Sequence, residues 1–465
     1  MAIRLFDHYV SLPVTLLVIV EALVVAASIC TGTWLAVQLG WVSGSVSDAI
    51  EFYRTAAVCF VLFLCMAAMG LYRIALRETF AGVAARVITA VVLTGVILPF
   101  VYYFFRWLYL TPGTLTLSSV IATAGLLTVR LGFLKLVDEN LFKRRILVLG
   151  AGQRAEQFLQ LRRQADQRGF KLVRFMKMPG DAESELPQKR VRQMPRSLIE
   201  YCQRHEIDEI VIAQDDRRGK LPIRDLLECR LESIDITDVM NFLERETGKL
   251  NLNLVSPSWL IFENGFRRQL PRRIAQRVFD VISSSAVLLL ASPIMLVTAI
   301  LIYLEDGRPI FYRQERVGKG NVRFNVLKFR SMRTDAEAEG KAVWAKQDDD
   351  RVTKVGRVIR KLRIDELPQL INVLAGHMSV VGPRPERPEF VEKLSEQIPY
   401  YLERHRIKPG ITGWAQLCYP YGSSEKDAFE KLQYDLYYVK NRTLVFDFMI
   451  LLQTAEVVLW QKGAR

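Results

Sequence analysis

Two adjacent carboxylates, Asp365 and Glu366, stand inside the run IRKLRIDELPQLINVLAG (residues 359–376), directly after a cluster of cations that includes Arg360. Carboxylates can serve as nucleophiles, forming a covalent intermediate that splits one difficult displacement into two. Cations beside them offset the charge of an anionic substrate. The structural alternative is a helix start. Asp365 would cap it, Glu366 would sit against the positive end of its dipole, and Pro368 would occupy the first turn, where a missing N–H costs nothing. Leu367, Leu370, Ile371 and Leu374 recur at helical spacing and give such a helix an apolar face.

The elements that must position the pair show first in composition. The chain has 465 residues, too many for one ordinary domain, half of them hydrophobic, with a formal charge of +14. A mean hydropathy of +0.13 in a chain this charged requires its apolar residues to be gathered into blocks. Four blocks occur early, at Leu12 to Leu39, Tyr53 to Tyr72, Val83 to Phe105 and Leu115 to Val137. Each approaches the ~20 residues of a membrane-spanning helix, the fourth being interrupted by Arg130 and Lys135. Residues 1–138 are therefore predicted to form a bundle of four transmembrane helices. The first block is too long for a cleavable signal peptide and lacks a small-residue cleavage site. Glu21, in its middle, is flagged as functional by its intramembrane position, with a packing or oligomer contact as the alternative.

Orientation follows from the cations. Arg73, Arg77 and Arg86 crowd the loop between the second and third blocks, and Lys143, Arg144 and Arg145 follow the fourth. The other two loops carry Asp48, Glu51 and the single Arg106. Basic loops stay inside, so the chain from about residue 138 onward is expected to start in the cytoplasm. Cys30, Cys59 and Cys65 lie in apolar blocks, and Cys202, Cys229 and Cys418 are scattered, a spacing that points to neither zinc nor disulfides.

The next region opens KRRILVLGAGQRAEQFLQ, where Ile146 to Leu149 read as a buried strand and Gly150-Ala151-Gly152 as the turn into a helix. A helical stretch from Pro195 to His205 and a strand from Ile210 to Ala213 complete an α/β pattern over residues 143–250, followed by a linker at 251–270. Ala155 replaces the third glycine, and the GFKLVRF strand supplies no acid for a ribose. The expectation is a degenerate Rossmann-like domain with a structural or regulatory role and no bound cofactor.

A fifth apolar stretch, Val278 to Tyr303, contains Ser292-Pro293, where the proline deletes a hydrogen bond to Leu289 and bends the helix. Arg272, Arg273 and Arg277 precede it, and Arg308, Arg313, Arg316 and Lys319 follow. Cations at both ends favour a re-entrant helix, with both ends in the cytoplasm, over a kinked spanning helix.

After it come KFRSM, DELPQL, VGPRP and KPGITGWAQ. In their order and spacing across residues 271–465, these motifs resemble the bacterial sugar transferase family, monotopic enzymes that move a hexose 1-phosphate onto a polyprenyl phosphate to begin exopolysaccharide, capsule or O-antigen assembly. The N-terminal helices and the degenerate Rossmann domain resemble the family's large form, and its re-entrant helix likewise breaks at a Ser-Pro pair. The resemblance implies a mainly α catalytic domain in which Asp365 attacks the sugar-linked phosphate of a UDP-sugar, UMP leaves, and the polyprenyl phosphate then attacks the aspartyl phosphosugar. It implies that Glu366 holds Mg2+ or assists the acceptor, and that Lys328, Arg330, Arg360 and Arg384 lie near the phosphates. Each of these four has a solvated or lipid-facing cation as its alternative.

Family members usually read GDMS where this chain has GHMS, so His377 stands at the place of an acid that supports the loop or the metal shell. Tyr400, Tyr401 and Trp414 have the amphipathic character of bilayer-interface residues, with core packing as the alternative. The expected setting is the bacterial inner membrane, with the soluble domains facing the cytoplasm, the bilayer as partner, no nucleic acid, and a homodimer by resemblance to large family members. Two other classes compete: a silent membrane scaffold, opposed by the intact acid pair, and a nucleotide-sugar oxidoreductase, opposed by the missing ribose acid and the lack of a Tyr-x-x-x-Lys pair. No motif identifies the sugar.

Overall fold

Leucine, valine and alanine dominate four N-terminal segments, and each segment forms one long helix. In the computed structural model, which describes residues 2–5, 8–41, 48–72, 80–136, 143–161, 169–216, 221–255, 270–333, 351–419, 422 and 424–460, the chain divides into two compact units. The boundary, between Leu254 and Val255, falls inside the linker expected at 251–270. Residues 256–269 of that linker, with Arg73 and Arg77, lie outside the described residues.

The first unit opens with a short antiparallel hairpin, β1 (Ala2–Leu5) and β2 (His8–Ser11). Four helices follow: α1 (Leu12–Gln38), α2 (Asp48–Ala68), α3 (Phe80–Phe104) and α4 (Pro112–Leu136). Each contains a segment long and apolar enough to cross a membrane. Val61, Leu62, Met66, Leu98 and Leu126 pack between them, while Leu23, Phe60, Phe100 and Phe104 point outward, as a lipid-facing surface requires.

Arg130 does not interrupt α4, because it is buried against Glu21 on α1. Its Nε and Nη2 reach the two carboxylate oxygens at 2.5 and 3.1 Å, and Nη1 donates to the Leu71 carbonyl at 2.6 Å. Both the flagged acid and the interrupting cation are thus parts of one bidentate pair, the arrangement that makes charge tolerable away from water. Glu21→Gln leaves the guanidinium buried without its counter-charge, a loss on the order of 3 kcal/mol. Thermal unfolding in detergent is expected to show this loss and its partial recovery in Glu21→Gln/Arg130→Gln. A single variant as stable as the parent would rule out a structural role for the pair.

A parallel sheet in the order β5-β4-β3-β6-β7 completes this unit. Its strands are β3 (Arg144–Leu149), β4 (Phe170–Lys177), β5 (Val191–Gln193), β6 (Glu209–Ile212) and β7 (Asp235–Asp238). Strand β3 sits at the centre, and its alternation serves two cores: Ile146 and Val148 face Phe158, Phe175 and Phe242, while Leu147 and Leu149 face Leu198, Cys202 and Cys229. Helices α5 (Gln153–Glu156), α6 (Leu198–Arg204), α7 (Ile223–Leu231) and α8 (Val239–Thr247) complete the domain. This is the Rossmann-like strand order, as expected from GAG and the strand spacing. All six cysteines are free.

The second unit begins with α9, a continuous helix of 37 residues from Leu270 to Asp306. Pro293 lies inside it, and the Leu289 carbonyl that loses its amide partner accepts instead from the Ser292 hydroxyl at 2.8 Å. The serine beside the proline therefore repairs part of the damage the proline does. An antiparallel hairpin follows, β8 (Phe311–Val317) with β9 (Arg323–Phe329). Next come α10 (Lys354–Lys361), α11 (Gln369–Ala375), β10 (Ser379–Val381), α12 (Pro388–Gln397), β11 (Gly410–Thr412), α13 (Trp414–Cys418), α14 (Glu425–Asn441) and α15 (Leu444–Trp460). Val326, Val373, Met378, Val381, Tyr438 and Phe446 form its main core. Tyr401 is 3% exposed, and Trp414 packs edge-on against Phe446 with ring centroids 5.1 Å apart. Tyr401, whose hydroxyl accepts from Arg404 at 3.0 Å, belongs to the packed interior rather than to a bilayer interface, and Trp414 packs half-buried against the core.

Candidate active site

The acid pair sits on a single 3-10 turn, Ile364–Glu366, between α10 and α11. Arg363 enters the turn with a left-handed backbone, φ 59°. The turn satisfies its own amides, Glu366 N–H bonding the Arg363 carbonyl at 3.3 Å and Leu367 N–H the Ile364 carbonyl at 3.1 Å. No side chain caps this turn, and α11 opens at Pro368 with none either. The helix-start reading of Asp365 is thereby corrected: both carboxylates are left for other work.

Their surroundings differ. Asp365 Oδ1 is buried and has no hydrogen-bond partner. Burial, followed by repulsion from Glu366, pushes the Asp365 carboxyl up to about 6 against the pull of Lys328, Arg363 and Arg360. Glu366 accepts from Arg384 Nη2 at 2.9 Å, with Arg363 Nη1 at 3.5 Å. Burial alone would raise it, but Arg384, Lys328 and Arg363 outweigh that and hold it down to about 2. Lys328 on β9 is pulled down to about 8 by burial; Glu366 opposes this, while Arg384 and Arg316 add to it. Two neighbouring carboxyls whose environments push them apart carry different roles. Glu366 is a permanently charged anchor, and Asp365 is the more basic carboxylate with a bare oxygen.

The cations are held in place from below. Arg404, 6% exposed, donates to the Arg384 carbonyl at 2.9 Å and to Tyr401 Oη at 3.0 Å, and pairs with Asp435 at 2.8 Å. The loop that carries Arg384 lies backbone-to-backbone against the strand after Pro409, so a Cβ on Gly410 would stand 2.0 Å from the Gly382 nitrogen. That close approach is why both stretches carry glycine. Helix α9 secures the other side. Arg277 donates to the Val373 and Leu374 carbonyls at 2.6 Å each, closing the C-terminal end of α11, and Asp280 accepts from Ser379 Oγ at 2.8 Å and Val380 N at 2.9 Å.

Of the six residues expected to act on substrate, the structure brings together Asp365, Glu366, Lys328 and Arg384, with Arg360 contributing its charge to Asp365. Arg330 lies apart from them. Strand β9 ends at Phe329, so Arg330 leaves the alternation that sets Lys328 toward the pair, and its guanidinium donates to the Asp306 and Gly307 carbonyls at 2.8 and 3.0 Å. It closes the end of α9. Ser292 and Pro293 sit mid-way along that helix and not at the site. Arg363, Arg316 and Arg404 were missed as site residues; Arg363 and Arg316 show in the sequence only as members of basic clusters, and Arg404 carries no signal beyond its nearness to KPGITGWAQ.

Among the described residues no group of three or more His, Cys, Asp or Glu side chains converges on one point. Two carboxylates, one with a free oxygen, are instead the donor set that holds Mg2+ together with substrate phosphates, so the residues present fit that ion.

Residues 271–461 match the family described as bacterial sugar transferase. The chain is 33% identical over 348 residues, 72% of either chain, to a UDP-glucose:undecaprenyl-phosphate glucose-1-phosphate transferase of Klebsiella pneumoniae. The chain belongs to the bacterial sugar transferase family. It is also 41% identical over 257 residues to a UDP-N-acetylgalactosamine-undecaprenyl-phosphate N-acetylgalactosaminephosphotransferase of Aeromonas hydrophila, over 55% of this chain and 59% of that one. An undecaprenyl-phosphate glucose phosphotransferase of Komagataeibacter xylinus is 32% identical over 331 residues, 69% of this chain and 60% of the relative. The chain thus spans about three fifths of the length of these last two. Residues 67–220 match a second description, CoA-binding domain.

Within this bacterial sugar transferase, the departure at His377 falls beyond α11, at the end opposite the acid pair. His377 is exposed, its ring 6.1 Å from that of Phe324, on a crevice of about 470 Å³ lined by Arg313, Arg323 and Asn372 among others and by neither Asp365 nor Glu366.

Proposed function

We propose that this chain transfers a hexose 1-phosphate from a UDP-sugar to undecaprenyl phosphate through a covalent intermediate on Asp365. The observation that carries the reading is the contrast within the pair, a bare, proton-avid Asp365 beside a Glu366 fixed by Arg384. An Asp365 oxygen attacks the sugar-bearing phosphorus, its bond to the bridging oxygen breaks, and that oxygen leaves on UMP. A phosphate oxygen of the lipid then attacks the same phosphorus and displaces the carboxylate, which returns unchanged. No proton needs to move in either displacement. Both steps bring anions together, and Lys328, Arg384, Arg363 and Arg360 supply the compensating field. Glu366 and Asp365 would hold Mg2+, which adds charge neutralisation at the diphosphate when bound.

The membrane course of α9 belongs to the same proposal. A straight helix of 37 residues is about 55 Å long, well beyond the ~30 Å hydrocarbon layer. Support for a re-entrant path comes from both of its ends. Arg277 and Asp280 hold α11 and β10, while near the other end Glu305 accepts from the amides of Lys354 and Val355, which open α10, at 2.7 and 2.9 Å. One folded domain grips both ends, so a bilayer passing between them would divide it. With the basic flanks, this supports a catalytic domain in the cytoplasm at the inner membrane. A cysteine introduced at Lys319 is expected to resist a membrane-impermeant thiol reagent on intact cells and to react after lysis. Labelling from outside would overturn the re-entrant path.

The function is tested by UMP release from purified protein. We expect a UDP-sugar alone to release at most one UMP per site and continued release to require polyprenyl phosphate as well, with a radiolabelled donor panel naming the sugar. The relatives' names include both glucose and N-acetylgalactosamine, so the panel must hold both. A protein that binds membranes and releases no UMP from any of these donors is the scaffold, not the enzyme.

A further inference from the structure

A coenzyme implied by the CoA-binding description would place its diphosphate at the glycine turn after β3, where the amides of a Rossmann domain accept an anion. Those amides are already in use. Asp215, from the loop after β6, accepts through its carboxylate from Gln153 N and Arg154 N at 2.9 Å each and from Ala182 N at 3.1 Å. Asp181, from the loop after β4, accepts from Ala151 N at 2.7 Å and Met178 N at 2.8 Å. A Cβ on Gly152 would stand 2.0 Å from Asp215 Oδ2, so the second glycine makes room for an internal carboxylate as it would for a phosphate. Three loops are tied at one point by two aspartates.

We propose that Asp215 and Asp181 are built-in substitutes for the phosphates, and that this Rossmann-like domain accordingly excludes CoA and dinucleotides from its glycine turn.

The crevice beside the turn agrees with this. It has a volume of about 840 Å³, room enough for a nucleotide, yet four acids, Glu156, Glu183, Glu185 and Asp215, line it against the single cation Arg154. A diphosphate entering would meet like charge where it needs donors. The residues present do not fit the coenzyme. The domain instead uses the seat as a clasp between the β3, β4 and β6 loops, which is a structural role in a chain whose chemistry lies elsewhere.

The test uses the full-length protein in detergent, with photoreactive 8-azido analogues of CoA and NAD+ and peptide mapping by mass spectrometry. Mapping separates the glycine turn from the acid pair, which is itself expected to attract diphosphates. Wild type is expected to show no saturable labelling of the peptides containing Gln153–Gln157 or Asp181–Glu185. Asp215→Ser, which removes the charge and opens the seat, is expected to label there at least tenfold more strongly at the same analogue concentration. Asp215→Ala, which removes the charge and empties the seat likewise, carries the same expectation if the serine variant misfolds. Saturable labelling of wild type at the turn overturns the proposal. So does a folded charge-removed variant that labels no more than wild type, since Asp215 would then not be the barrier.

Discussion

Asp365→Asn is expected to yield a folded, membrane-inserted protein with no measurable transfer, a loss of roughly 10⁴-fold or more for a residue that forms the covalent intermediate. An amide oxygen is a poor nucleophile and gives no stable acyl phosphate. Stability should move the other way. The folded carboxyl titrates near 6, above its ordinary value, so the contribution of this group to stability is fully present below pH 4 and is lost as pH rises through about 6. At pH 7 the ionised Asp365 is therefore destabilising, and a neutral, nearly isosteric amide should leave the melting temperature unchanged or raised. A purely structural acid predicts the opposite pairing, normal turnover with lowered stability. Wild type quenched with UDP-sugar and Mg2+ in the absence of acceptor should carry a phosphohexose on the peptide containing Asp365. An adduct mapped elsewhere, or full activity in Asp365→Asn, sinks the mechanism.

Arg384→Gln is expected to lower turnover by roughly 10²- to 10³-fold, the scale of losing one charged group that acts on the transition state. Two consequences separate a role in chemistry from a role in packing. The loop itself should survive, because Arg404 holds the main-chain carbonyl of residue 384 and not its side chain. The pH profile should change as well. In wild type, activity is expected to fall below about pH 6 as Asp365 takes up a proton and above about pH 8 as Lys328 loses one. Arg384 is one of the cations that depress Lys328, so its removal should carry the alkaline limb upward. Glu366 loses its 2.9 Å partner and should titrate above its wild-type value of about 2. A variant with lowered turnover and an unmoved alkaline limb would place Arg384 in the scaffold of the site.

Much of this protein is fixed by its sequence because the relevant signals are local. Four apolar blocks became four long helices, the β3 run and its GAG turn became the centre of a parallel sheet, and the acid pair stood out beside its cations. Each of these depends on periodicity, hydropathy or chain-adjacent residues, which a sequence displays directly. What the tertiary structure decided depends on partners far apart in the chain. Glu21 found Arg130, which turned a flagged acid and an apparent defect into one ion pair. Arg330 left the cations beside the acid pair for the end of α9, because β9 stops one residue too early to keep it beside Lys328. Asp215 crossed 62 positions to fill the amide seat at Gln153, which no reading of the glycine motif alone could anticipate. The difference between Asp365 and Glu366 has the same origin. Two adjacent acids look alike in sequence, and only burial together with the arrival of Arg384 and Lys328 from distant strands and loops makes one a fixed charge and leaves the other with a bare oxygen.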